Sequence, residues 1–164
     1  MTPQRPDVGT SSRTSRLTPD WIVGFIDGEG CFHVGISRHS DLRSGYQILP
    51  ELTVVQHKCD IDLLYELRST MGCGVVRNNH GDRFCWRVRD LDNLIQIVIP
   101  FFDKYPLRSK KEIEFLKFKS VVMMMQKGEH LTEEGFSRIV KIASEMNRAE
   151  IRNKAWVKRE SIPG

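Results

Sequence analysis

The stretch from Leu17 to Gly30 constrains the fold more than any other, because it encodes both ends of one helix and an unusual face between them. Thr18 suits the N-cap, Pro19 the first helical position, and Asp20 the first turn, where the helix dipole favours an anion. Leu17 and Ile22 are spaced as a hydrophobic staple across that start, and Gly30 can end the helix as its C-cap glycine. Ile22, Phe25 and Ile26 fall on one face, at i, i+3 and i+4, and are expected in the core. Gly24 and Gly28 fall four apart on another face. Two glycines in so short a helix cost roughly 2 kcal/mol relative to alanine, which suggests a use: the close approach of a second backbone. Glu29 stands in the last turn, where the dipole disfavours a carboxylate. A carboxylate placed against that preference is a candidate for holding a cation.

A chain of 164 residues has room for one domain with a real core. Lys and Arg number 25 against 21 Asp and Glu, a net charge of +4 that permits nucleic-acid binding without establishing it. No apolar run approaches membrane-span length, so no membrane partner is expected. Residues 1–16 carry Arg5, Arg13 and Arg16 but no apolar signal-peptide core. Their Pro, Ser and Thr content favours a disordered arm over an organelle-targeting remnant or a DNA-contacting arm. Residues 148–164 read as a basic tail, which leaves 17–147 as the folded domain. Cys31, Cys59, Cys73 and Cys85 form no CxxC pair, which argues against structural zinc and for free thiols in a reducing compartment. His33, His39, His57 and His80 have no partner at metal-ligand spacing and read as polar surface or groove residues. Walker, GxSxG and HExxH signatures are absent.

After Gly30 the apolar period changes from helical to two. Phe32, Val34 and Ile36 alternate with His33, Gly35 and Ser37 in a first strand, and a turn-rich break follows at 41–45. A second strand runs over 46–56, with Ile48, Leu52 and Val54 on one side and Gln47, Glu51 and Thr53 on the other. Pro50 in its middle predicts a bulge or an edge. Residues 60–71 read as a helix with a Leu63, Leu64, Leu67 and Met71 stripe, ended by Gly72. Strands are expected over 74–79 and 83–89, joined by a hairpin over 78–82. In the last strand Phe84, Trp86 and Val88 face one way, and Arg83, Arg87 and Arg89 the other. Residues 92–103 are expected to be helical with an interruption near Pro100. Ser109 is expected to cap a helix over 110–126, with Met123 to Met125 as core filler, and Thr132 to cap a last helix.

The fold class is therefore α+β: an antiparallel four-stranded sheet with helices on one face. The other face collects Gln47, Glu51, Thr53, Arg77, Asn79, Arg83, Arg87 and Arg89, with His33, Ser37 and His39 beside them. A two-layer domain leaves one sheet face wet in any case. This mixture nevertheless suits base edges, Arg for guanine, Gln or Asn for adenine and Glu for cytosine.

The run Ile22-Val23-Gly24-Phe25-Ile26-Asp27-Gly28-Glu29-Gly30 resembles, position by position, the signature of the LAGLIDADG homing endonucleases. The resemblance extends over the element order from about 17 to 147 and implies the family's αββαββα core and curved sheet that reads double-stranded DNA. It implies that two motif helices pack side by side through small residues, here Gly24 and Gly28, with Trp21 also at the interface. It implies that Glu29, with Gly28 beside it, binds the catalytic metal, whereas Asp27 matches an earlier acidic position that is mainly structural. Mg²⁺ is the expected ion on oxygen-donor grounds, with Mn²⁺ able to replace it in vitro and Ca²⁺ as a non-catalytic substitute. Lys111, or Lys110 as the close alternative, matches lysines that approach the scissile phosphates, and Gln56 matches a residue that orders water near the metals. One motif copy implies a homodimer; double-motif members run about twice this length. Two functions follow from the resemblance. One is a site-specific endonuclease making a staggered double-strand break in a pseudo-palindromic site. The other is a non-cleaving binder of the same fold, an intron maturase contacting intron RNA or a DNA-binding regulator. Glu29 favours the nuclease, since a binder gains nothing from a carboxylate facing phosphates.

Overall fold

The computed structural model describes residues 16–146. Apart from Arg16, the expected arm lies outside the described residues, as do Asn147 and the tail from 148 onward. The elements follow the expected order. Helix α1 (Pro19–Glu29) leads into β1 (Gly30–Arg38) and β2 (Tyr46–His57), then α2 (Ile61–Met71), β3 (Val75–His80) and β4 (Arg83–Val88). A helical segment follows in three parts: α3 (Leu91–Asn93), a π segment (Leu94–Val98) and α4 (Ile99–Lys104). Helices α5 (Lys111–Gln126) and α6 (Glu133–Met146) complete the domain. No helix among the described residues is long and apolar enough to cross a membrane.

The four strands form one antiparallel sheet in the order β1-β2-β4-β3. Cross-strand pairing assigns its faces, because paired residues point the same way. Phe32 pairs with Leu52, Val34 with Pro50, and Val54 with Trp86, and all six are buried against the helices. Cys31 pairs with Thr53, His33 with Glu51, and Thr53 with Arg87 on the opposite, open face. Phe32 meets Phe102, Phe115 and Phe118, each with ring centroids under 6 Å away, so the aromatic centre of the core ties β1 to α4 and α5.

Several local expectations change. In α1 the buried residues are Ile22, Val23 and Ile26, while Phe25 is half-buried and stacks on Trp21 at 4.8 Å. The helix touches the sheet on a face rotated towards Val23, and Phe25 leans on its own helix neighbour. Gly30 caps α1 in extended backbone (φ −75°), not left-handed. Its requirement for glycine is steric, since a Cβ there would meet Ile26 Cγ2 at 2.7 Å and the Ile26 carbonyl at 2.8 Å. The chain therefore passes from helix to strand without a loop. Gly74 precedes β3 rather than joining it, because its φ of +89° and its approach to Trp86 Nε1 leave no room for a side chain. Pro50 makes no bulge in the pairing with β1. It lies in the part of β2 beyond its pairing with β4, a local edge where a missing N–H is tolerated.

Leu63 falls off the α2 stripe, which buries Leu64, Leu67 and Met71. Around Pro100 the chain stays helical. The π segment immediately before it widens the turn that a proline ring would otherwise crowd. The β3–β4 hairpin is tighter than expected, a two-residue Gly81-Asp82 turn with a register shift between Asn78 and His80.

Candidate active site and sheet face

Helix α1 ends at Glu29, one residue before the Gly30 carbonyl that Lys111 reaches. Thr18 accepts a hydrogen bond from Trp21 N–H at the N-terminus as predicted, and Glu29 is the last helical residue. Glu29 is exposed, and its carboxylate makes no hydrogen bond or ion pair among the described residues. Two residues earlier, Asp27 is fully engaged. Its Oδ2 accepts from Arg108 N–H at 2.8 Å, and its Oδ1 from Ser109 N–H at 3.1 Å and Ser109 Oγ at 2.8 Å. Burial raises the Asp27 pKa, but the donors from Arg108 and Ser109, with the Lys111 charge, outweigh it and hold the carboxyl below its ordinary value.

That anchor sets the start of α5. Ser109 Oγ also accepts from Lys111 N–H at 3.1 Å, so Ser109 caps α5 as expected while bound to Asp27. Lys111 then reaches back along α1, and its Nζ donates to the Gly30 carbonyl at 2.5 Å. Of the two candidate lysines, Lys111 is brought to the residue next to Glu29; Lys110 sits before the first turn of α5, exposed. Gln56 pairs with Phe84 and so stands on the helix side of the sheet. Extending the Gly30–Val54 pairing by two residues brings it level with the last turn of α1.

The donor set fits a hard divalent cation. Glu29 offers a free carboxylate, and Gly28 offers only its backbone carbonyl, in the last turn, where carbonyls lack intrahelical donors. All are oxygens at the negative end of a helix dipole. Among the described residues no three His, Cys, Asp or Glu side chains cluster closely enough to hold an ion. One copy of this site therefore supplies an incomplete shell. Gly24 and Gly28 present an uncovered face, since a Cβ on either would meet nothing within 4 Å, and Trp21 beside them is 40% exposed.

The open sheet face carries the rest. Ser37, His39, Arg77, Asn79, Arg83 and Arg89 are exposed, and His33, Gln47, Glu51, Thr53 and Arg87 are half-buried. Asn79 falls at the register shift of β3, so alternation alone does not set its direction. Arg89 Nε donates to Glu51 Oε2, and Thr53 Oγ1 to Glu51 Oε1 at 3.5 Å. Arg87 Nε is buried without a hydrogen-bond partner. The strict alternation of β2 and β4 also puts Leu49, Val55 and Cys85 on this face, and pairing adds Cys31 and Val75. Polarity does not single them out, although the period of two that marks Gln47, Glu51 and Thr53 includes Leu49 and Val55. Cys85 is buried on this otherwise open face, which pushes its thiol pKa up against the pull of Arg87 and Arg77.

This geometry has close counterparts. The crystal structure of the homing endonuclease I-TnaI superposes with a TM-score of 0.81 at 52% identity, covering 88% of this chain and 96% of that one. I-SmaMI bound to its uncleaved DNA target in the presence of calcium ions superposes with a TM-score of 0.79 at 34% identity, over 80% of this chain and 45% of its own. A probable intron-encoded endonuclease of Neurospora crassa is 31% identical over 143 residues, 84% of this chain and 26% of that protein. The chain thus spans about a quarter of the length of this and two other fungal relatives it matches by sequence. Residues 22–122, from the motif helix through both hairpins into α5, match the profile of the LAGLIDADG endonuclease, and the chain belongs to that family.

Proposed function

We propose that this protein is a site-specific homing endonuclease. Two copies would pair through Trp21, Gly24 and Gly28 and make a staggered double-strand break in a long pseudo-palindromic DNA site by metal-dependent hydrolysis. The observation that carries the reading is the free Glu29 carboxylate at the end of an uncovered small-residue helix face, with the Lys111 ammonium held one residue away. The DNA-bound state of I-SmaMI supports DNA as the partner, and its calcium ions support a divalent cation.

Glu29 and the Gly28 carbonyl would hold the ion, Mg²⁺ by the oxygen-donor argument, with a second copy, phosphate and water completing the shell. When bound, such an ion polarises the scissile phosphate and lowers the pKa of an attacking water. Lys111 supplies fixed positive charge for the phosphate oxygens as negative charge builds on them. Asp27 holds the Arg108-Ser109 backbone and thereby aims Lys111. Gln56 would order water beside the last turn of α1. The sheet face would read each half-site, with Arg83, Arg87 and Arg89 entering the major groove.

A randomised duplex library incubated with the protein and Mg²⁺ tests this. Cut molecules should share one two-fold-related sequence with staggered ends, and chelation with EDTA should stop the cutting. Light scattering should show a dimer. Gly24→Leu should leave a folded monomer, since nothing of its own chain crowds that position. A library that is bound and enriched but never cut would replace the nuclease reading with that of a binder. A wild-type monomer, free and on DNA, would remove the pairing through α1.

A further inference from the structure

On the open face, Glu51 and Arg89 are cross-strand neighbours. Thr53 pairs with Arg87, and continuing that register sets Arg89 opposite Glu51. Their side chains are joined, Arg89 Nε to Glu51 Oε2 at 2.5 Å, and the second Glu51 oxygen accepts from Thr53 Oγ1. Glu51 is the recessed member, with 18% of its side chain exposed against 46% for Arg89. Both carboxylate oxygens of Glu51 are thus occupied within the protein, and the arginine stands outermost.

We propose that Glu51 is a positioning residue that fixes the Arg89 guanidinium on the sheet, so that Arg89 and not Glu51 reads a base there. This rests on the reading of the sheet as a DNA-contacting face. A guanidinium is planar, so a bond to its Nε sets the plane of the whole fork. The two terminal nitrogens then project with a defined direction, the geometry needed for a bidentate contact to guanine O6 and N7. Holding the side chain in place before binding removes rotamer freedom that would otherwise be lost on binding. Arg87, one register step away, has a buried Nε with no hydrogen-bond partner and is not held in this way.

The test is selection of bound duplexes from a randomised library, run with the full chain as wild type, Glu51→Gln, Arg89→Ala, Arg89→Lys and the Glu51→Gln/Arg89→Ala double variant. Arg89→Ala should weaken the preference at one base-pair position about tenfold. Glu51→Gln should weaken it at that same position, roughly threefold to tenfold, while raising affinity for non-specific duplex, because a carboxylate near phosphates is gone. Arg89→Lys keeps the charge without the fork and should keep affinity while losing the preference. In the double variant Glu51→Gln should add nothing at that position. Thermal midpoints equal to wild type confirm that the fold is retained. A preference lost at a different position in Glu51→Gln, or lost equally with and without Arg89, would make Glu51 a base reader and overturn the proposal. Profiles unchanged in both Arg89→Ala and Arg87→Ala would remove the sheet from the DNA interface. That would overturn the wider reading, and this proposal with it.

Discussion

The two sides of the last turn of α1 carry the same functional group in opposite states. Asp27 faces inward to the connection before α5 and accepts three hydrogen bonds from two consecutive residues. Glu29 faces outward beside the uncovered glycine face and accepts none among the described residues. The first carboxylate is satisfied by its own chain and serves architecture. The second stands against the helix dipole and has no partner among the described residues, which fits the external cation proposed for it. A carboxylate's role here follows from its partners and not from its position in a motif.

The sharpest way to break this contrast is Glu29→Gln. It keeps the shape and removes the charge, and should lower Mg²⁺-dependent cleavage by on the order of 10³-fold or abolish it. The thermal midpoint should not move, and DNA affinity should hold or rise. Cleavage at the wild-type rate would end the assignment of Glu29.

A smaller effect separates the lysines. Lys111→Ala should slow cleavage by about 10²-fold by removing fixed charge at the site, whereas Lys110→Ala should leave single-turnover rates within a few-fold of wild type. Equal losses would show that both ammonium groups reach the phosphates. The smallest effect belongs to Asp27→Asn, which should destabilise the domain by about 1–3 kcal/mol, read by denaturant titration. Because the folded pKa of Asp27 is lowered, its contribution is full above the ordinary aspartate value of 3.8 and is lost as pH falls through the lowered folded value. Asn should therefore flatten the acid side of the stability profile. If it steepens that side, Asp27 is not the anchored carboxylate described here.

The element order was legible in the chain because helix and strand periods, caps and turn residues act over a few neighbours. Thr18, Ser109 and Thr132 cap the helices they were expected to cap. The alternation in 83–89 correctly separated Trp86 and Val88 from Arg83 and Arg87. Legibility failed where a second element decides. Val23 joins the core while Phe25 packs at its margin, because the sheet selects which side of α1 is covered. Gly30 is needed for clearance from Ile26, a contact that a C-cap pattern does not express. The Glu51–Arg89 hydrogen bond likewise joins residues 38 apart, which no local period expresses.

The sequence alone thus determined the α+β class, the motif helix and its terminal carboxylate, since each is written in residues a few positions apart. Tertiary structure decided which lysine reaches the Gly30 carbonyl, one residue past that carboxylate, and what holds Asp27. The deciding contacts, Asp27 with Arg108 and Lys111 with Gly30, join residues 81 apart. Two hairpins, α2 and the three-part helical segment intervene, and no local period encodes how their packing returns the chain to the end of α1.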